Sequence, residues 1–282
     1  MSHGPTYSIL EGLAENRLAD IPDASVACCV TSPPYWGQRV YEGCPSELGL
    51  EPTQAEYVAT LVGIFEQVKR TMIPGGVLWL NIGDGSYCKS MTNRNGATKH
   101  LGGKTRGGGE YKLPKRRDKT MKEKDLCGTP WAVAFALRGS GWYLRDAVIW
   151  HKPAPMPGGA PDRFVNSYET VFMLTNSKKY NFDPVVMSEP GVTTKTRRMR
   201  NVWTIPSAKG NKWHFARMPK ELASRCIEGT TKEEDLVLDP FHGSGTTGRA
   251  ATELGRRYVG IEPCNTYIKK SQENIAEGFD ES

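Results

Sequence analysis

The chain has 282 residues, enough for one large domain or two small ones, and 38% of them are hydrophobic, enough for a sizeable core. No apolar run approaches the length of a membrane span, and the seven cysteines are scattered without metal-ligand spacing. These features argue against a membrane protein and a metal site, and they predict reduced thiols in a cytoplasmic protein. The formal net charge of +6 permits a polyanionic partner.

From the N-terminus, the pattern over 7–18 predicts a short strand and then a helix. An apolar run over 25–30 follows, and it is short and β-branched enough to be a buried strand. It leads directly into a proline corner, Thr31-Ser32-Pro33-Pro34-Tyr35-Trp36. Because two prolines cannot extend a hydrogen-bonded ladder, we expect a stiff loop at the carboxyl end of this strand. Open α/β sheets bind their ligands at that edge.

The side chains of the proline corner suit a flat ring that carries an NH2 group. The Ser32 hydroxyl and the Pro33 carbonyl can accept hydrogen bonds, and Tyr35 and Trp36 offer flat faces. Pro34 keeps the loop rigid, which maintains the orientation of these groups. The alternative is a proline-rich turn whose aromatic residues belong to the core, and the corner by itself favours neither interpretation.

Further along, Thr53 is placed to cap a helix that runs to about Met72, with apolar residues at helical spacing. Pro74-Gly75-Gly76 is expected to stop this helix before a buried strand over 77–82. The composition then changes over 86–124, where glycine, lysine and arginine dominate. This basic loop is either a solvated surface segment or an arm that binds the backbone of a polyanion.

The rest of the chain alternates between predicted strands and helices. Strands are expected over 142–150, 170–175, 236–238 and 258–261. Helices are expected over 129–137, 219–227 and 246–254 and at the C-terminus, while 193–213 is basic and poorly periodic. Alternation of this kind predicts an α/β fold with a mostly parallel sheet and helices on its faces.

A second motif that could bind a ligand lies between a predicted strand and a predicted helix. Its sequence is Asp239-Pro240-Phe241-His242-Gly243-Ser244-Gly245-Thr246-Thr247-Gly248. Glycines let the backbone turn tightly and approach a ligand, and Glu262 lies about 20 residues on, where a carboxylate can bind a ribose diol. A nicotinamide dinucleotide site also fits the spacing, but only a short tail follows Glu262, too little for a substrate domain. A glycine turn without a ligand is the remaining alternative.

The two motifs resemble those of the beta-class DNA amino-methyltransferases. The stretch from Asp239 to Thr247 is similar to their motif I, 259–262 to motif II, and 214–219 to motif X. Ser-Pro-Pro-Tyr is similar to their motif IV, in the form typical of the cytosine-N4 enzymes. The amine-binding motif precedes the cofactor motif, which is the order that defines this class.

The resemblance implies a circularly permuted, Rossmann-like fold that binds S-adenosylmethionine. The catalytic domain would cover 1–192 and 214–282, and 193–213 would be a target-recognition segment. Ser32, Pro33, Pro34 and Tyr35 are the implied catalytic residues. The implied cofactor-binding residues are Asp239, Phe241, Gly243, Ser244, Gly245, Thr246, Thr247, Glu262, His214, Phe215 and Ala216. In one departure from the family pattern, Gly12-Leu13-Ala14 stands where an Asp usually follows the first Gly.

The implied activity is methylation of the N4 amine of a flipped cytosine in a specific double-stranded DNA sequence. An adenine-N6 enzyme of the same fold and a non-catalytic DNA-binding module remain alternatives. The implied partners are double-stranded DNA and no membrane; a homodimer is compatible with this class, and a bacterium, an archaeon or a phage would encode the protein. The residues expected to contact DNA are Trp36, Arg197, Arg198, Arg200, Lys209 and Lys212. The central expectation is that the proline corner and the glycine-rich motif face each other in space.

Overall fold

The computed structural model describes residues 6–38, 48–88, 116–155, 160–191, 194–208 and 217–277. Several sequence predictions fall outside these residues. They concern His214, Phe215 and Ala216, the lysines Lys209 and Lys212, and most of the basic loop over 86–124. None of the helices within the described ranges is long and apolar enough to cross a membrane.

The elements alternate along the chain largely as predicted. The strands are β1 (Tyr7–Glu11), β2 (Val26–Thr31), β3 (Met72–Ile82), β4 (Tyr143–His151), β5 (Tyr168–Thr175), β6 (Ser188–Pro190), β7 (Thr196–Arg198), β8 (Val202–Thr204), β9 (Leu236–Asp239) and β10 (Arg257–Glu262). The helices are α1 (Ala14–Arg17), α2 (Gln54–Thr71), α3 (Thr129–Gly139), α4 (Lys220–Glu228), α5 (Thr246–Glu253) and α6 (Asn265–Glu277), and a 3-10 turn covers Leu18–Asp20.

Eight of these strands form one sheet in the order β1-β10-β9-β2-β3-β5-β4-β8. Neighbours pair in parallel except around β5, which is antiparallel to both β3 and β4. The late strand β9 therefore lies in the middle of the sheet, beside the early strand β2. This is the mostly parallel sheet, with a late strand inserted beside an early one, that the sequence predicts.

The sheet separates two cores, because successive side chains of a strand point to opposite faces. Cys29 of β2 packs in the core beneath α2 and α3, whereas Cys28 and Val30 pack in the core beneath α4 and α5. Helices therefore cover both faces, as predicted. From β9 the chain continues through α5 to one side, and from β2 it continues through α2 to the other. The gap between β9 and β2 is thus a topological switch point, where open α/β sheets bind ligands.

Local chemistry explains where α2 begins and ends. Thr53 and Glu56 form a capping box, in which the Thr53 side chain accepts from the Glu56 amide and the Glu56 carboxylate accepts from the Thr53 amide. The predicted apolar stripe is buried, and the helix ends at Thr71. The prediction that β3 starts only after Pro74-Gly75-Gly76 is wrong, because this tripeptide lies inside the strand. The Asn176 side chain supports it there by bonding the Gly75 amide and the Ile73 carbonyl.

Candidate active site

The proline corner and the glycine-rich loop meet at the carboxyl edge of the sheet. They follow β2 and β9, which are adjacent and parallel. The Thr31 hydroxyl donates to an Asp239 carboxylate oxygen at 2.6 Å, and the Thr247 hydroxyl donates to the Val30 carbonyl at 3.2 Å. The expectation that these two loops meet in space is therefore confirmed. Residues about 200 positions apart in sequence lie within hydrogen-bond distance of each other.

The proline corner presents its acceptors on a rigid frame. The Tyr57 hydroxyl, on α2, donates to the Pro34 carbonyl at 2.9 Å and fixes the loop against the helix. Among the residues that the structure describes, no N–H or O–H group donates to the Pro33 carbonyl. Pro33 is buried, and Ser32 is partly exposed. The corner therefore keeps one carbonyl without a described donor and one partly exposed hydroxyl.

A partly buried polar network lies behind the corner and supports it. The Asn81 side-chain nitrogen lies 3.0 Å from the Ser32 Oγ, 3.1 Å from the Tyr35 hydroxyl and 3.0 Å from Glu169 Oε2. The Tyr35 hydroxyl donates to the same Glu169 oxygen at 2.8 Å. The Lys152 ammonium forms an ion pair with the other carboxylate oxygen. Four strands, β2 through the corner and β3, β4 and β5, thus contribute to one hydrogen-bonded cluster.

The position of the Tyr35 ring depends on a glycine at the end of β3. A Cβ atom on Gly83 would lie 2.7 Å from Cε2 of the ring, so only glycine lets the ring pack this closely. Burial and then the Glu169 charge raise the pKa of the Tyr35 phenol well above its usual value of 10. The phenol therefore stays protonated and remains a hydrogen-bond donor at physiological pH.

Sequence reasoning assigned no role to Asn81, Lys152 or Glu169. A signal was present for two of them. Asn81 interrupts an apolar strand, and Glu169 lies near the start of another, where a buried polar side chain needs partners. Nothing in the sequence indicated that these residues meet Tyr35, because the contacts join strands that are separated by long loops.

Trp36 does not lie where a flipped base could stack on it. It is only 4% exposed, and its indole nitrogen donates to the Glu51 carbonyl at 2.9 Å. The Arg116 guanidinium lies 4.3 Å from the ring centroid, and Tyr87 packs against the ring at 6.3 Å. The expected DNA contact of Trp36 is therefore corrected to a core position, which leaves Tyr35 as the aromatic face of the corner.

The glycine-rich loop is held by two buried carboxylates. Asp239 accepts from the Phe241 amide at 3.0 Å as well as from Thr31. Glu262, at the end of β10, accepts from the Gly243 amide and the Cys264 amide, each at 2.9 Å. Burial raises the pKa of Asp239 to about 6 and that of Glu262 to about 7. Their hydrogen bonds oppose this effect without cancelling it.

The loop itself divides into supporting and open positions. Gly245 has φ +79°, and a Cβ there would lie 2.9 Å from the Ser271 side chain, so glycine is required. Asp239 and Thr247 are buried and bond within the protein. The loop positions that remain partly exposed are Phe241, Gly243, Ser244 and Thr246. These four are available to contact a ligand.

His242 supports the loop from below, a role that the sequence did not indicate. Its imidazole bonds the Tyr258 hydroxyl at 2.6 Å and the Ser271 hydroxyl at 2.7 Å. Burial lowers the pKa of His242 to about 4, so the ring is neutral at physiological pH. It ties the loop to β10 and α6 and takes no part in charge chemistry.

The segment that departs from the family pattern lies beside Glu262. Glu11 pairs with Glu262 in the β1–β10 register, and the Gly12 amide donates to the Glu262 carbonyl at 3.1 Å. The exposed Glu11 carboxylate accepts from the Asn265 side chain at 2.5 Å. A carboxylate is thus present at the end of β1, shortly before α1.

The basic residues of the expected recognition segment differ in their surroundings. Arg197 forms an ion pair with Glu189 at 2.8 Å across the β6–β7 hairpin. Arg200 lies 4.0 Å from the same carboxylate and is mostly exposed, and Arg198 is exposed. The same segment contributes β8 to the main sheet, where Trp203 packs on Trp79 at 6.0 Å. The part of 193–213 that is described is therefore continuous with the catalytic fold.

A glycine-rich loop at the switch point of the sheet, beside a proline corner whose Pro33 carbonyl has no described donor, is the arrangement that the resemblance to the amino-methyltransferases implies. The family model for the N6/N4 DNA methylases matches residues 26–273. The chain therefore belongs to this DNA methylase family. Members of the family use S-adenosylmethionine as methyl donor and DNA as substrate.

Characterised relatives cover nearly the whole chain. The type II methyltransferase M.XycI of Xanthomonas campestris pv. cyanopsidis is 38% identical over 280 residues, covering 95% of this chain and 87% of the relative. M.Cfr9I of Citrobacter freundii is 39% identical over 273 residues, covering 93% and 85%. A candidate DNA modification methylase from Thermus thermophilus, solved with S-adenosyl-L-methionine, superposes with a TM-score of 0.66 at 25% identity, covering 97% and 95%. The cytosine-N4-specific PvuII methyltransferase shares the fold, with a TM-score of 0.71 at 21% identity, covering 99% and 92%.

Proposed function

We propose that this DNA methyltransferase transfers a methyl group to the N4 amine of cytosine within a specific double-stranded sequence. The observation that carries the proposal is the proline corner. Its neutral Ser32 hydroxyl, and a Pro33 carbonyl to which no described group donates, lie beside the glycine-rich loop at the switch point of the sheet. The Ser-Pro-Pro-Tyr form of this corner is the one typical of enzymes that modify cytosine.

The chemistry requires the protein to activate a poor nucleophile. The lone pair of the cytosine amine is delocalised into the ring, and the amine is paired inside a duplex. The base must therefore leave the stack, at a cost of a few kcal/mol. Tyr35 would stack on the flipped base, while the Ser32 hydroxyl and the Pro33 carbonyl accept hydrogen bonds from the two N–H groups of the amine. These two hydrogen bonds draw the nitrogen towards tetrahedral geometry and free its lone pair.

The loop after β9 fits the methyl donor, which supplies an electrophilic methyl group on a sulfonium. Glu262 is only 6% exposed, and a carboxylate in this position can accept from the ribose hydroxyls. Phe241 offers an apolar face, and its ring packs edge-on to Phe65 at 6.4 Å. Ser244 and Thr246 offer hydroxyls at the start of α5. Asp239 and Thr247 shape this loop and link it to β2.

Nucleoside analysis tests the proposed function directly. The protein is incubated with methyl-labelled S-adenosylmethionine and plasmid DNA, and the DNA is digested to nucleosides and separated. We expect the label in N4-methylcytosine. Label in N6-methyladenine would refute the proposal in favour of an adenine-N6 enzyme of the same fold. An absence of label in DNA would favour a non-catalytic DNA-binding module.

The buried Glu262 predicts a pH dependence of cofactor binding. Only the ionised carboxylate accepts from two hydroxyls, so we expect full affinity for S-adenosylmethionine well above pH 7 and weaker binding as the pH falls through the Glu262 pKa of about 7. The loss should approach tenfold per pH unit at most. Titration calorimetry between about pH 5.5 and 8.5, on either side of this pKa, measures it.

The matched variant for this prediction is Glu262→Gln. It should bind more weakly and lose the slope around pH 7, because the amide does not titrate. A residual slope near pH 6 would belong to Asp239, whose pKa is about 6. An unchanged slope around pH 7 in the variant would show that Glu262 does not contact the cofactor.

We also propose that Arg198 and Arg200 contact DNA phosphates. Both side chains are exposed, whereas Arg197 is neutralised by Glu189. Replacing both Arg198 and Arg200 with Gln should reduce the slope of log affinity against log salt concentration by about 2 in magnitude, because each lost phosphate contact reduces this slope by roughly 0.9. Lys232→Gln, in the turn at the opposite edge of the sheet, serves as the control. An unchanged slope in the double variant would remove this hairpin from the DNA interface.

A further inference from the structure

A chain of neighbouring polar groups leads away from the amine-binding corner. The Ser32 and Tyr35 oxygens both lie next to the Asn81 nitrogen, and the Tyr35 hydroxyl donates to Glu169 Oε2 at 2.8 Å. The Asn81 nitrogen contacts all three oxygens at 3.0 to 3.1 Å. The chain thus joins the atom that would hold the substrate amine to a carboxylate.

The chemistry of the members fixes the direction of the bonds to Glu169. A carboxylate only accepts, so the Asn81 atom beside Glu169 must be the nitrogen, which only donates. The Tyr35 hydrogen also points to Glu169, which leaves the Tyr35 oxygen free to accept a hydrogen. The Ser32 hydroxyl lies on the other side of the Asn81 nitrogen contact, and turning its hydrogen towards the Tyr35 oxygen would place each hydrogen one step closer to the negative charge.

The end of the chain is suited to hold a proton. The Glu169 and Lys152 side chains are 17% and 19% exposed, so the pair is largely shielded from water. Lys152 also lies over the Trp150 ring at 4.4 Å, which keeps the ammonium in place. A substrate base stacked on Tyr35 would separate the amine from solvent, and the chain then offers a route for a proton through the protein.

We propose that Ser32, Tyr35 and Glu169 form a relay that removes the proton released when the target amine is methylated; this rests on the proposed function, and applies to either target base. The amine nitrogen bonds to the methyl carbon as the carbon–sulfur bond breaks towards sulfur. An N–H bond of the resulting ammonium then breaks, and its proton passes to Ser32. Ser32 gives its hydrogen to Tyr35, and Tyr35 gives its hydrogen to Glu169, which ends as a neutral carboxyl.

Charge is conserved in this sequence. The sulfonium becomes a neutral sulfide, the amine becomes a neutral methylamine, and the carboxylate takes up the proton. After the product leaves, Glu169 gives this proton to water and re-forms its ion pair with Lys152. The relay needs the phenol, so enzymes with Phe or Trp at this position of the motif cannot use it. The device is therefore a property of this chain and not of the whole family.

Single-turnover methylation by Tyr35→Phe and Glu169→Gln tests the relay, on the DNA sequence found methylated in a plasmid that expresses the wild-type protein. Tyr35→Phe keeps the stacking ring and Glu169→Gln keeps the shape. We expect both to lose about 100-fold or more in rate, the range of general acid–base catalysis. Cofactor affinity, DNA affinity and the fluorescence of a base analogue beside the flipped base should stay within about threefold of wild type.

Controls separate a relay from a structural role. Glu51→Gln changes another partly buried carboxylate, which accepts from the Gly49 amide, and should keep the wild-type rate. Glu169→Asp retains a carboxylate and should recover part of the lost rate. Because Glu169→Gln leaves a shielded Lys152 without its partner, the double variant Lys152→Met with Glu169→Gln guards against a folding defect, and it should be as slow as Glu169→Gln.

Three results would overturn the relay: a wild-type rate in either single variant, a wild-type rate in the double variant, or a rate loss that matches a loss of base-analogue fluorescence. A wild-type protein that methylates no DNA would instead refute the proposed function. A wild-type protein that methylates adenine would change the target and leave the relay to be decided by the same variants.

Discussion

Ser32→Ala should abolish most methylation while leaving both ligands bound. Ser32 accepts a hydrogen bond from the target amine in this mechanism, and the alanine variant has no acceptor at this position. Loss of one positioned hydrogen-bonding group at a reacting centre costs roughly 100- to 1,000-fold in rate. Single-turnover transfer of labelled methyl groups measures the loss, and calorimetry measures cofactor affinity, which should not change because the donor loop follows a different strand.

The matched control is Ser25→Ala. Ser25 lies just before the same strand, at its opposite end, and its hydroxyl donates to the Pro22 carbonyl at 2.8 Å. This variant should methylate at the wild-type rate. If Ser32→Ala weakened cofactor binding by the same factor as methylation, the assignment of Ser32 to the target amine would be refuted.

Tyr35→Ala should have an effect of similar size for two reasons. The flipped base loses its stacking surface, worth about 1–3 kcal/mol. Asn81 and Glu169 lose a hydrogen-bond partner in a shielded cluster, which adds the cost of an unsatisfied polar group. We expect roughly 100-fold slower methylation or more, with cofactor affinity retained. Fluorescence of a base analogue beside the target should show that the flipped state is less populated.

Tyr143→Ala provides the comparison, because Tyr143 is 46% exposed and starts β4, away from the carboxyl edge that holds the corner. It should preserve both the rate and the fluorescence. A Tyr35→Ala variant with normal fluorescence and a low rate would contradict the stacking role while remaining compatible with the relay. Tyr35→Phe separates the two contributions, since it retains the ring and removes only the hydroxyl.

The local features of this protein could be predicted from the sequence because each depends on neighbouring residues. Thr53 and Glu56 are three positions apart, so their capping box can be read from the chain. The proline corner must turn because proline has no amide hydrogen. The site loops were also predictable together, since their order along the chain is the one that defines a permuted methyltransferase.

Other features depend on contacts between distant residues. Trp36 offers the same flat face in sequence as Tyr35, yet it packs into the core because Arg116 and the Glu51 carbonyl complete its surroundings. The Pro74-Gly75-Gly76 stretch is a helix breaker by composition, yet the sheet and the Asn176 side chain hold it as a strand. In both cases, neighbours supplied from elsewhere in the chain outweigh the local preference.

The sequence by itself determined the class of fold and the methyl donor, because these reside in short motifs with fixed backbone requirements. Only the tertiary structure decided which polar groups stand behind the corner. Asn81 and Glu169 reach Tyr35 across 46 and 134 positions, and only the pairing of β3 and β5 beside β2 brings them within hydrogen-bond distance. That distance, and not any motif, joins three ordinary side chains into one hydrogen-bonded cluster.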